Sequence, residues 1–187
     1  MEEITTRTRW NEAAIAGLAL GGFTIVMQLL AGLAAKITGG VALAMLASVL
    51  KFVLWAVKLA GCIWLMRFFM LKLASKYSGV GNEDTRKFGM GVALLSALIV
   101  SAYVMASLSL TDPAEMQAAV DSALANYPMA IDSNTQYMMD KVMDKLPIIY
   151  FFVNLVYCFL FGTVVSAILS RNIPSRNPFD SPEADEQ

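Results

Sequence analysis

Four apolar runs, separated by short polar segments, set the pattern of this chain. They cover about 13–35, 46–71, 88–110 and 147–170. A helix needs roughly 20 predominantly apolar residues to cross a ~30 Å hydrocarbon core, and each run meets that length. The pattern predicts an all-α fold, an integral membrane bundle of four transmembrane helices. The second run is the longest. From Val41 to Leu71 it would extend about 46 Å at ~1.5 Å per residue, so it must tilt, protrude or begin as an interfacial turn. The first run is too long for the core of a cleaved signal and reads as an uncleaved first span.

Residues 111–146 are the largest segment outside the runs. Asp112-Pro113-Ala114-Glu115 reads as a helix start. Asp112 can cap, Pro113 fits the first helical position, and Glu115 suits the positive helix end. Met116, Val120, Ala123, Leu124 and Tyr127 recur at helical spacing until Pro128. A second amphipathic stretch starts at Ser133, with Tyr137, Met138, Val142, Met143 and Leu146 on one side. Two short helices are expected, forming a cap between the third and fourth spans. Residues 1–170 then make a single domain. Residues 171–187 carry Pro174, Pro178 and Pro182 and an acidic end, a composition that predicts a disordered tail.

An even number of spans places both termini on one side. That side carries Arg7, Arg9, Arg67, Lys72, Lys76, Arg86, Lys87, Arg171 and Arg176, against Lys36, Lys141 and Lys145 on the other. The positive-inside rule assigns the basic side, both termini and the 77–87 loop to the cytoplasm, and turns the cap outward. Arg67, Lys72 and Lys76 need no role beyond orienting the second helix.

Composition removes several function classes. Hydrophobic residues are 57% of the chain, above the 45–50% usual in soluble domains. The net charge of −1 offers no basic face for nucleic acid. There is no His, so the commonest general base and metal ligand is missing. No nucleophile elbow, P-loop, zinc-protease or dinucleotide motif occurs, and no catalytic residue or cofactor is expected. Cys62 and Cys158 sit alone in apolar runs and read as small buried hydrophobes. Asp140 and Asp144 share a helical face, but Lys141 and Lys145 interleave with them. That is a solvated, charge-mixed face rather than a metal site.

Inside the runs, two features stand out. Gly17 and Gly21 form a GxxxG pair that lets another helix backbone approach closely, for packing within the chain or for a homo-oligomer. Lys51 and Lys58 lie seven residues apart, on one face and about 10 Å apart along the axis. Lys58 falls near mid-membrane, where a lysine costs ~2.5–3.5 kcal/mol on insertion scales. No Asp or Glu lies within the four runs. Lys58 must therefore snorkel, face a wet gap, be neutral, or find Gln28, Asn154, hydroxyls, backbone carbonyls, water, a lipid phosphate or an acid from another chain.

The layout resembles a family of small Bacteroidota membrane proteins known as a domain of unknown function, DUF4199. The resemblance rests on Arg67 and the basic run to Lys76, the Gly79–Gly81 loop and Arg86-Lys87-Phe88-Gly89. It rests also on the Met-, Asp- and Lys-rich insert and on Ile168-Leu169-Ser170-Arg171 with Pro174 and Phe179. It implies a Gram-negative inner membrane with a periplasmic cap, and it transfers no activity. The leading expectation is a non-enzymatic scaffold or accessory subunit with a partner membrane protein. The alternative is an anionic-lipid-binding or small-solute transport protein using Lys51 and Lys58.

Overall fold

The computed structural model describes residues 5–35, 41–77, 80–124 and 133–173. They form five helices, and no strand occurs among them: α1 Thr6–Ala35, α2 Val41–Lys76, α3 Asn82–Ser109, α4 Pro113–Leu124 and α5 Ser133–Arg171. Four of these, α1, α2, α3 and α5, contain segments long and apolar enough to cross a membrane. The turn at 36–40, the break at Pro128 and the tail from 174 lie outside the described residues.

Local signals account for the helix starts. Thr5 caps α1, its Oγ1 accepting from Thr8 N at 3.2 Å. Glu83 and Asp84 occupy the first turn of α3, where the helix dipole favours carboxylates. Asp112 Oδ1 accepts from Ala114 N at 2.9 Å, which starts α4 at the expected place.

One expectation is corrected. The second cap helix and the fourth span are not separate. Both belong to α5, a single helix of 39 residues with Pro147 inside it. Pro147 removes one backbone donor and crowds the preceding turn. Breaking the helix there would orphan several backbone groups at the edge of an apolar medium, a larger cost than one missing bond. α4 packs against no other helix among the described residues.

α3 is the central helix. It packs along α1 and α5, while α2 leans mainly on α1 and touches α3 and α5 sparingly. The interior is small and partly polar: Thr85, Ser96, Ser101, Ser166 and Ser170 are buried beside Ala13, Ala16, Ala93 and Ala97. Bulky apolar side chains such as Leu18, Leu33, Phe52 and Trp64 face outward instead. That is the distribution expected when the surroundings are as apolar as leucine and helices associate by close packing. Gly17 and Gly21 of α1 show it. A Cβ at Gly17 would come 2.8 Å from Leu95 Cβ, and one at Gly21 would come 3.1 Å from Ile99. The GxxxG face is used within the chain, against α3.

At one end of the bundle the start of α1, the α2–α3 turn and the end of α5 meet; we call this the terminal end. Arg9 Nη1 pairs with Asp84 Oδ1 at 3.1 Å. Glu12 Oε1 accepts from Lys76 Nζ and, at 3.2 Å, from the Tyr77 hydroxyl. Lys76 thus has a partner within the chain, which the sequence did not lead one to expect. Ser166 Oγ donates to the Arg86 carbonyl at 3.1 Å. Asn82, with its amide nitrogen turned toward α5, donates to the Ser170 and Ile173 carbonyls at 2.8 and 3.1 Å. It adds a donor to carbonyls at the end of α5, where the helix itself supplies few.

Candidate functional site: a lysine cavity between the helices

The opposite, far half of the bundle is held less tightly. Residues 48–65 of α2 and 141–165 of α5 contain no buried residue. Between these two stretches, with α1 and α3 behind, lies a cavity of about 210 Å³. Lys58 lines it, and so do Gln28 of α1 and Asn154 of α5. These are the two amides that the sequence offered as partners for a buried ammonium, and they face the same space.

Most of the remaining polar lining is already hydrogen-bonded. Thr24 Oγ1 donates to Leu20 O at 2.9 Å and lies 3.5 Å from Cys62 Sγ. Ser96 Oγ donates to Ala93 O at 3.1 Å. Asn154 Nδ2 donates to Ser101 Oγ at 3.0 Å, and its Oδ1 faces Cys158 Sγ at 3.7 Å. Lys58 and Gln28 differ. Neither makes a hydrogen bond or ion pair among the described residues. The three ammonium protons and the Gln28 amide are donors facing a cavity without an acceptor of matching charge.

Depth can be read from α3. Ser96 and Val100 both line the cavity. They stand roughly 14 and 20 Å along the axis from Lys87, at ~1.5 Å per residue. The site therefore sits in the middle of a ~30 Å apolar layer. Its floor, toward the terminal end, is apolar: Leu20, Met66 and Val165. Below Met66 the bundle is shut, since Met70 and Leu73 are also buried.

The other candidates from sequence fall elsewhere. Lys51 is exposed and does not line the cavity. Cys62 and Cys158 are half-buried in opposite walls of it. Lys145 and Asp144 are exposed, and the side chain of Asp140 lies outside the described residues. No group of three metal-ligating side chains occurs among the described residues. Sequence reasoning missed Trp55 and Tyr157, which line the cavity from α2 and α5. Trp55 lies one turn from Lys58, a spacing that could have flagged it.

A second recess, of about 150 Å³, lies between α1 and α3 and includes Arg9 and Lys87. Each of those cations already faces a carboxylate: Asp84 at 3.1 Å and Glu83 at 2.6 Å. Lys58, in the larger cavity, makes no ion pair among the described residues. No family model, curated protein or solved structure matches this chain, so the reading of the site rests on its own geometry.

Proposed function

We propose that the chain is a multi-pass protein of a bacterial inner membrane, with both termini cytoplasmic and the 111–146 region periplasmic, and that it works by binding an anionic ligand at Lys58. One observation carries the ligand reading: a lysine and an amide with no hydrogen-bond or ion-pair partner among the described residues line the same mid-depth cavity. An unpaired charge in an apolar layer is costly, and it is retained where something pairs with it. The absence of His, the commonest general base, favours binding over catalysis.

Native mass spectrometry of gently solubilised protein tests this reading. The wild type is expected to carry a small bound anionic mass that Lys58→Gln loses. A bare wild type, or the same mass on both, counts against it. The scaffold reading keeps one specific observation in its favour, the stretch 48–65 of α2, which has no buried residue and a largely exposed face. A lost mass that proves to be a polypeptide would move the conclusion there. The orientation is tested separately by a cytoplasm-active reporter fused after Gln187, which is expected to be active.

A further inference from the structure

The dimensions of the Lys58 cavity narrow the chemistry of its occupant. Its volume of about 210 Å³ falls below the ~300–1,000 Å³ usual for sites that enclose a whole drug-sized ligand. A polar head fits inside; a larger molecule must extend beyond the mouth. The mouth opens sideways. Trp55, Tyr157 and Phe161 line the cavity and are also 54%, 69% and 42% exposed. Trp55 belongs to α2 and the other two to α5, so the gap between α2 and α5 is the way in.

What surrounds that gap is apolar. Phe52 of α2 and Val153, Val156 and Leu160 of α5 are all more than half exposed. At this depth they face lipid chains rather than water. A soluble anion would have to cross that zone fully desolvated. An amphiphile would not, because its chains already lie there. Lys51 adds a cationic step, exposed on the same face of α2 and about 10 Å further from the terminal end. The route ends at the floor, where buried Met66, Met70 and Leu73 close the bundle.

We infer that the occupant is an anionic amphiphile of the leaflet at the far end. It slides sideways between α2 and α5, sets its charged head on Lys58 and Gln28, and leaves its chains along the outer walls of the two helices. The closed floor makes the site a seat rather than a passage. This inference rests on the reading of Lys58 as an anion site, and the test separates the two.

The test uses the full chain with Trp55 as its only tryptophan (Trp10→Phe and Trp64→Phe). It is reconstituted in phosphatidylcholine vesicles holding a minor fraction of lipid with brominated chains. Brominated phosphatidylglycerol is expected to quench Trp55 more than brominated phosphatidylcholine at equal fraction. Lys58→Gln is expected to abolish the difference and Lys58→Arg to preserve it, which shows that charge rather than folding is at issue. Inorganic phosphate is titrated in parallel. Equal quenching by both lipids, with a Trp55 response to phosphate that Lys58→Gln removes, overturns the amphiphile and keeps the anion site. Equal quenching and no phosphate response overturn both.

Discussion

The two halves of α2 have similar apolar composition and opposite surroundings. Toward the terminal end, Met66, Met70, Leu73 and Tyr77 are at most 4% exposed. Toward the far end, residues 48–65 are nowhere buried. The cause lies on the partner helices and in the charges. Near the terminal end α3 and α5 cross at small residues: a Cβ at Gly89 would overlap Ser166. Three cations nearby face carboxylates, in Lys76–Glu12, Arg9–Asp84 and Lys87–Glu83. Further out, the facing side chains become Trp55, Tyr157 and Phe161, and the cation, Lys58, has no hydrogen-bond or ion-pair partner among the described residues. Helices in lipid approach where small residues allow it and part where they do not. The fold is packed tightly at one end of α2 and leaves a cavity between α2 and α5 at the other.

The sharpest way to break this division is to crowd the closed end. Gly89→Val has no room against Ser166 and Met70 and is expected to destabilise by about 3 kcal/mol, the upper range for overpacking. Denaturant unfolding in mixed micelles measures it, and an unchanged midpoint would show the crossing to be loose. Lys58→Leu should act in the opposite direction. It removes a charged group from the apolar layer, and stability should rise by about 2 kcal/mol while the bound anion is lost. If stability falls instead, Lys58 has a structural partner within the chain. Tyr77→Phe deletes one donor to Glu12 and should cost about 1 kcal/mol, seen as a small drop in thermal midpoint. Asn154→Val deletes the bond to Ser101. Interhelical bonds of this kind average ~0.6 kcal/mol in lipid, so this should be the smallest effect on the same unfolding scale.

Much of this organisation was legible in the chain itself. Run length alone gave the four spans, because an apolar medium demands continuous helices of a set length. Asp112-Pro113 marked the start of α4, since capping is a local matter. Lys58, Gln28 and Asn154 could be singled out because polar groups are rare in such runs. Their meeting in one cavity could not be read, because it depends on where α2 leaves α5, and that follows from which small residues cross. Glu12 looked like part of a polar leader. Its pairing with Lys76 needs the start of α1 and the end of α2 at equal depth, which is a property of the assembled bundle. The fusion of the second cap helix into α5 was hidden by Pro147, which reads as a boundary in sequence and is tolerated inside the helix.

The central claim is that Lys58 at the open end takes an anionic amphiphile while the closed end carries the fold. Linkage tests it directly, because a ligand bound only by the folded state stabilises it by RT ln(1 + [L]/Kd). The measurement is the unfolding midpoint of wild type and Lys58→Gln in micelles with a rising fraction of phosphatidylglycerol at constant total lipid. The account predicts a midpoint that climbs for the wild type and stays level for Lys58→Gln. Parallel climbs in both proteins, or a level wild type, would contradict it.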